Sequence, residues 1–445
     1  MLCCFRYSDP VRPGSWLWCR VVAVVLCLLP VLCIAQGVPV KSAESGTPAA
    51  VWRQAGRMMT ARYDHRATRL EDGTVLVTGG RGDDNRHFSS AEMYDPQQHR
   101  WETVAPMISA RVNHTATRLK DGTVLVTGGE RSVTELLASA ERYDPQTGLW
   151  QPVAAMSTVR DGHTATLLED GTVLVAGGWN EHGVFAASTE IFDPQQESWQ
   201  ETGAMSVERG GHTATLLGDG RVLVSGGWNM EGVPLASAEL YDPLTRSWQT
   251  VPVSMLVARY GHEATLIDGG RRVLVSGGYD GVNVLTQAEI YDVLQNRWVQ
   301  VSPLLLARQW HAAVRLKDGM VLVTGGLGPD AVTLAEAEQY DPVHDLWRPV
   351  NAMAVMREDH SATLLMDGSV LVAGGIGGGQ VVADAEIYRL PGGGVSVGRQ
   401  GQAKVLAAWS LSRMAFVVVN CLNVLGIVFI MLMLVAIYRQ NDDGC

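Results

Sequence analysis

Cysteine is missing from almost the whole body of this 445-residue chain, because none of its seven cysteines lies between Gln36 and Asn420. A disulfide framework, a cysteine-ligated zinc site and a thiol nucleophile are therefore excluded there. Phenylalanine is scarce, with six residues, whereas glycine is abundant, with 48. This composition favours many short strands joined by tight turns over a helical bundle. Core packing alone must hold the body together.

Positive charge is also in deficit. The net charge is −11, and residues 1–36 and 404–445 carry +2 and +1, so the body between them carries about −14. Contacts to phosphate groups require lysine and arginine, so this balance excludes a nucleic-acid partner.

Residues 1–36 have the pattern of a signal peptide or of an uncleaved signal anchor. Arg6, Arg12 and Arg20 precede an apolar run of 14 residues at 21–34, and small or tolerated residues lead to a cleavage position after Ala35. A run of this length is short for a membrane span and typical of an export signal.

Residues 414–438 form a second apolar run, with 25 residues and no charge. As a helix it would extend about 37 Å, so we predict a transmembrane helix, with a linker at 392–413 and a short tail at 439–445. The export signal predicts a single-pass protein of the cell membrane, with its body outside the cytoplasm. Lys404 and Arg413 favour the opposite orientation, but large domains are translocated largely regardless of nearby charge.

A repeat of 48 to 51 residues organises the chain between these segments. Its marker is a glycine pair, found at 79–80, 128–129, 177–178, 226–227, 277–278, 325–326 and 374–375. One unit contains a strand at 163–168, a tight turn at Asp170-Gly171, a strand at 173–175 that is apolar on both faces, and strands through Phe192 and from Trp199. Four antiparallel strands in a unit of about 49 residues, repeated around a ring, predict a β-propeller.

The repeat resembles that of the kelch family. Besides the glycine pair, five units carry Tyr-Asp, with Trp seven residues after the Tyr: Tyr94 and Trp101, Tyr143 and Trp150, Tyr241 and Trp248, Tyr291 and Trp298, and Tyr340 and Trp347. The resemblance covers residues 50–390 and implies an all-β, seven-bladed kelch-type propeller, which we assign to residues 49–391. A WD40 propeller has a shorter period and a Trp-Asp dipeptide that is absent at these positions.

The ring is predicted to close through the N-terminal strand. The seventh unit has Val395 where the other units have Trp, whereas Trp52 precedes Arg62 and His65 by 10 and 13 residues, as in the next unit. Residues 51–54 should therefore be the fourth strand of the last blade, which removes an open sheet edge.

An arginine and a histidine recur at one register in every unit. The arginines are Arg62, Arg111, Arg160, Arg209, Arg259, Arg308 and Arg357, and the histidines are His65, His114, His163, His212, His262, His311 and His360. One interpretation is a ring of cations around a pocket for an anion. The other, which we favour because the role is filled seven times, is structural: each arginine pairs with a third-strand glutamate, and each histidine bonds a backbone carbonyl.

Aromatic residues supply the candidate ligand-binding residues. Trp179, Trp228 and Tyr279 directly follow the glycine pair in three consecutive units, and Tyr63, Tyr260 and Trp310 lie just before the repeated histidine. Such rings can stack on sugars or anchor a peptide, and lateral packing between blades is the alternative. Acidic residues are expected on the same face: Asp83, Asp84, Glu181, Glu231, Asp280 and Asp330.

These patterns favour a non-enzymatic binding module over an enzyme. The copper-radical oxidases among kelch-like propellers need a Cys–Tyr cross-link, which this body cannot form. No motif of nucleophile and base is present, the other histidines lack ligand spacing, and we predict no metal or cofactor. The expected function is a membrane-anchored, extracytoplasmic propeller that binds a protein or glycan. The alternative is a carbohydrate-binding or carbohydrate-acting protein that uses the face of the variable loops.

Overall fold

Each repeat folds as a four-stranded antiparallel sheet, here called a blade, with its strands named a to d. A computed structural model describes residues 51–390, and within this range there are seven such blades. The all-β propeller predicted from the repeat is thereby confirmed.

The strands recur at the same register in blades 1 to 7. The a strands are Arg66–Arg69, Thr115–Arg118, Thr164–Leu167, Thr213–Leu216, Glu263–Ile267, Ala312–Arg315 and Ser361–Leu364. The b strands are Val75–Thr78, Val124–Thr127, Val173–Ala176, Val222–Ser225, Arg272–Ser276, Val321–Thr324 and Val370–Ala373. The c strands are Ala91–Asp95, Ala140–Asp144, Thr189–Asp193, Ala238–Asp242, Ala288–Asp292, Ala337–Asp341 and Asp384–Arg389. The d strands are Arg100–Val104, Leu149–Val153, Ser198–Glu201, Ser247–Thr250, Arg297–Val301, Leu346–Val350 and, for blade 7, Val51–Arg57.

The loops contain two small hairpins and two 3-10 turns. Two small hairpins pair Glu130–Ser132 with Glu135–Leu136 and Ile376–Gly377 with Gln380–Val381, and 3-10 turns span Asp268–Gly270 and Pro329–Ala331.

The N-terminal strand completes blade 7, as predicted. Trp52 lies opposite Tyr388, and Arg53 lies opposite Ile387 in the antiparallel pair. The a strands of adjacent blades contact one another all the way round, including the step from blade 7 to blade 1. The a strands are therefore innermost and surround the axis of the ring, while the d strands lie outermost.

The hydrophobic core lies between neighbouring blades. The b strands are almost wholly buried because each has blades on both of its sides. One cluster joins Val75 and Val77 of blade 1 to Leu371 and Ile387 of blade 7, across the closure. Packing of one blade on the next thus stabilises the propeller without disulfide bonds.

The glycine pair ends each b strand where the next blade approaches. Gly177 and Gly178 have φ of 67° and 91°, in the left-handed region that favours glycine. A Cβ on Gly177 would lie 2.6 Å from the main-chain oxygen of Arg209 in the following blade. Only glycine allows this approach, which explains why the pair recurs in every unit.

Within residues 51–390, no helix is long and apolar enough to cross a membrane. The predicted signal at 1–36, the linker at 392–413, the transmembrane helix at 414–438 and the tail at 439–445 lie outside the described residues.

Candidate functional site

The repeated arginines lie inside the blades. All seven are fully buried, and each forms an ion pair of 2.7–3.1 Å with the glutamate of its own c strand. In blade 4, Arg209 also donates to the main-chain oxygen of Gly226 at 2.8 Å, while Glu239 accepts the backbone N–H of Ser206 at 2.7 Å. Each pair therefore ties the d–a loop to strands b and c, and its guanidinium is not accessible to an anion.

The repeated histidines join neighbouring blades through hydroxyl groups. In all seven blades Nε2 bonds a serine or threonine hydroxyl of the preceding blade, at 2.8–3.3 Å. Burial is the main cause that lowers the pKa of His65, His212 and His262 to about 3, and a nearby arginine adds to the effect. The rings are thus neutral at physiological pH. A backbone hydrogen bond partly opposes the lowered pKa of His65, His212 and His262, so the hydroxyl partners add to the backbone partner that the sequence predicts.

Five aromatic rings form a continuous row on the face that carries the b–c and d–a loops, here called the loop face. The aromatic row runs Trp179, Phe185, Trp228, Tyr260, Tyr279, with successive ring centroids 4.9, 5.9, 4.6 and 5.6 Å apart. Tyr260 stacks on Trp228 at an interplanar angle of 23°. Blades 3, 4 and 5 all contribute to this row.

The row stands at the start of the loops because of its register. Trp179 pairs with Asp161, Trp228 with Gly210 and Tyr279 with Tyr260 as isolated bridges just beyond the glycine pair. Trp179 is 36% exposed, whereas Trp228 and Tyr279 are half-buried. Trp179, Trp228 and Tyr279 therefore lie along one row. Their rings pack against neighbouring rings and are also partly exposed to solvent.

The other two sequence-predicted aromatics lie outside the row. Tyr63 packs beneath the Arg81 guanidinium, 5.9 Å from its ring centroid, in the sector of blade 1. Trp310 is 38% exposed and lies against Gly261 of the neighbouring blade. Phe185, by contrast, belongs to the row and was not predicted, because it lies inside a variable loop with no repeated register.

An open depression adjoins the end of the row. It has a volume of about 510 Å³ and lies between blades 5 and 6. Its walls include Tyr260, Tyr279, Asn283, Gln309 and Asp330. Aromatic surfaces and polar groups therefore converge there, the combination that ligand sites commonly present.

Carboxylates gather where the a strands begin, at the mouth of the central channel on the loop face. Asp64 and Asp359 occupy the position before the repeated histidine, and the backbone N–H of Asp64 donates to the main-chain oxygen of Asp359 at 3.4 Å. Burial, and then mutual repulsion with Asp64, raises the pKa of Asp359 well above its usual range. Burial also raises the pKa of Asp161 to about 7, and Glu130 adds to this shift. Together with Glu358, these groups form what we call the acidic mouth.

Sequence reasoning missed the acidic mouth. The position before each repeated histidine reads Asp64, Asn113, Gly162, Gly211, Gly261, Trp310 and Asp359. Variation at this register was the available signal for Asp64 and Asp359, whereas Asp161 and Glu358 lie one residue earlier in the chain. Among residues 51–390, no three His, Cys, Asp or Glu side chains are placed so that they could hold a metal ion together.

The fold and the loop face together define a seven-bladed kelch-type β-propeller. A family model described as the Attractin/LZTR1 beta-propeller matches residues 45–287, more than half of the chain. The chain therefore belongs to this propeller family.

Solved structures similar to this chain share its fold. One is a novel fungal alcohol oxidase of the AA5 family in complex with copper, at 18% identity and a TM-score of 0.65 over 77% of each chain. Another is YjhT, at 16% identity and a TM-score of 0.53 over 66% of this chain and 99% of that one. Among curated proteins, none matches significantly.

Proposed function

We propose that this propeller is a non-enzymatic interaction module that binds a protein or glycan through its loop face. The aromatic row carries the proposal. Large rigid side chains that are partly exposed and adjacent provide binding energy at little cost in conformational entropy. The repeated Arg, Glu and His side chains bond within and between the blades. The remaining residues of the loops can vary in sequence.

The same proposal places the module at a membrane. The apolar segment at 414–438 would anchor it, and the segment at 1–36 would direct the propeller to the extracytoplasmic side. On such an anchor the loop face would meet ligands outside the cytoplasm.

An array of peptides and glycans, probed with the full chain, tests the binding function. We expect Trp228→Ala to weaken capture by about 2 kcal/mol, in the range of interface anchor residues. Leu244 is 94% exposed on a c–d turn of the opposite face, so Leu244→Ala is the control and should leave capture unchanged. Equal capture by wild type and Trp228→Ala would contradict the proposal.

A carbohydrate-acting enzyme is the second candidate, and the acidic mouth is the observation that favours it. A carboxyl with a pKa of about 7, such as Asp161, can serve as a general acid near neutral pH. Asp161 also pairs through its backbone with Trp179, which could hold a sugar ring. Product formation from oligosaccharides that is lost in Asp161→Asn would support this function, and no turnover by the wild type would exclude it for the sugars tested.

A further inference from the structure

We propose that the ligand of the loop face is a basic protein segment, with arginine or lysine side chains that contact the aromatic row and the acidic mouth. This inference rests on the proposed binding function and names the class of its partner.

The b–c loops around the row carry more acidic than basic side chains. The b–c loops of blades 3 to 6, at 179–187, 228–236, 279–287 and 327–336, contain no lysine or arginine. They do contain Glu336, next to the c strand of blade 6, and four carboxylates within the loops, Glu181, Glu231, Asp280 and Asp330, which are exposed or half-buried. No arginine or lysine among residues 51–390 forms an ion pair with any of these four carboxylates. His182 lies 3.7 Å from Glu181, and the sector otherwise presents carboxylates without a lysine or arginine partner beside partly exposed aromatic rings.

Blade 1 behaves differently, which marks the acidic sector as a local feature. The b–c loop of blade 1 begins with Arg81, whose guanidinium is paired with Glu130 of blade 2. His87 of the same loop lies 3.1 Å from that carboxylate. Arg81, Arg86 and His87 thus place positive charge in this loop, whereas the b–c loops of blades 3 to 6 contain no lysine or arginine.

The acidic mouth adds buried carboxylates that a positively charged partner would stabilise. Glu358 is 9% exposed, and its Oε2 has no hydrogen-bond partner among the described residues. After burial, the negative charges of Asp64 and Glu358 each raise the pKa of Asp359, and the smaller effect of Arg66 lowers it, so the protein's own cation offsets only part of the repulsion. A cationic side chain at the mouth would relieve this repulsion.

Cations also suit the row itself. Arginine and lysine side chains are attracted to the faces of Trp and Tyr, and acidic neighbours reinforce that attraction. A neutral sugar would use the rings and could donate its hydroxyls to the carboxylates, but it would not offset their negative charge. A second copy of this chain is a poor occupant, because its body carries about −14 and would be repelled.

Fluorescence anisotropy of the full chain with labelled probes tests the inference. The probes are a short peptide of alternating Arg and Gly, the same peptide with neutral citrulline for Arg, the same with Glu for Arg, and a neutral oligosaccharide. One variant neutralises the four loop carboxylates (Glu181→Gln, Glu231→Gln, Asp280→Asn and Asp330→Asn). The matched control removes equal charge from exposed sites away from the loop face (Glu71→Gln, Glu102→Gln, Glu169→Gln and Glu201→Gln).

We expect the arginine peptide alone to bind, and to bind more weakly as salt is raised. The loop variant should lose roughly tenfold in affinity, since each exposed charge contributes modestly, whereas the control variant should change less than twofold. Equal losses in both variants would show attraction to net charge only and would overturn the inference. Binding of the neutral oligosaccharide in preference to the arginine peptide would also overturn it, while leaving the proposed binding face intact. Binding of none of the probes by wild type would reject a basic partner.

Discussion

The indole nitrogen of Trp52 donates to the main-chain oxygen of Asn351, 2.6 Å away and 299 residues along the chain. The same bond recurs between other neighbouring blades, as from Trp101 to Ala55 at 2.9 Å and from Trp150 to Ala105 at 2.8 Å. Trp52 also packs on Tyr388, with ring centroids 5.1 Å apart. One tryptophan from the start of the chain thus joins the last blade to its neighbour.

Trp52→Ala should destabilise the whole propeller. The change removes the ring contact with Tyr388 and opens the closing strand, and we expect a loss of about 3 kcal/mol in the free energy of unfolding. Urea denaturation checks the value. Val51→Ala is the control, because Val51 is 44% exposed in the same strand and should cost well under half as much. Equal losses for the two variants would contradict the closing role of Trp52.

Breaking a buried Arg–Glu pair should cost more than breaking an exposed one. Glu239→Ala leaves the Arg209 guanidinium buried without its carboxylate and frees two backbone N–H groups, so we expect a loss of about 3–5 kcal/mol. Glu135→Ala removes the exposed partner of Arg131 and should cost less than about 1 kcal/mol. Thermal or urea unfolding of the two variants measures the difference, and a stable Glu239→Ala protein would refute the scaffold role.

Acid should unfold the propeller because its histidines resist protonation. Each repeated histidine has a lowered native pKa, about 3 in His212, so the unfolded chain binds protons below pH 6.5 that the native state does not. Each such group costs up to about 1.4 kcal/mol per pH unit as the pH falls. Asp161 and Glu263 act in the opposite direction, because burial raises the pKa of each to about 7. The stability that each contributes to the native protein at low pH is lost as the pH rises from about 4 to 7.

The two effects partly cancel between pH 6.5 and 4.5, so we expect a modest loss of stability there and a steep loss below pH 4.5. His212→Gln should reduce the slope by about one histidine's share, about 1.4 kcal/mol per pH unit at most. His182→Gln is the control for loss of an imidazole, because His182 is exposed on a loop. Urea unfolding across this pH range gives the slopes, and parallel curves for wild type and His212→Gln would argue against neutral buried histidines.

Most of the fold could be predicted from the repeat, because each feature of the unit has a local physical cause. The doubled glycine marks the end of each b strand, and the tryptophan spacing placed Trp52 in blade 7. The candidate site was only partly foreseeable. Phe185 enters the row because its loop folds back between Trp179 and Trp228, and no local pattern encodes that path. The hydroxyl partners of the histidines likewise depend on how one blade is rotated against the next.

The orientation of the propeller remains a prediction of the terminal segments. Protease added to intact cells or sealed vesicles should digest the propeller if 1–36 directs export and 414–438 spans the membrane. A tag after Cys445 should resist the protease until the membrane is broken. Protection of the propeller and digestion of the tag would reverse the orientation and make Lys404 and Arg413 the better guides.

Paired measurements of stability and ligand capture on two tryptophan variants test the central claim most directly. Trp199 belongs to the scaffold, since it packs on Phe192 at 5.0 Å and donates to the main-chain oxygen of Ala154 at 2.7 Å. Trp228 belongs to the aromatic row. We predict that Trp199→Ala lowers stability by about 3 kcal/mol but keeps capture by the folded protein, whereas Trp228→Ala keeps the melting temperature within a few degrees and weakens capture by about 2 kcal/mol. Loss of several kcal/mol of stability in Trp228→Ala, with capture unchanged, would show that the row is packing between blades and would contradict the account.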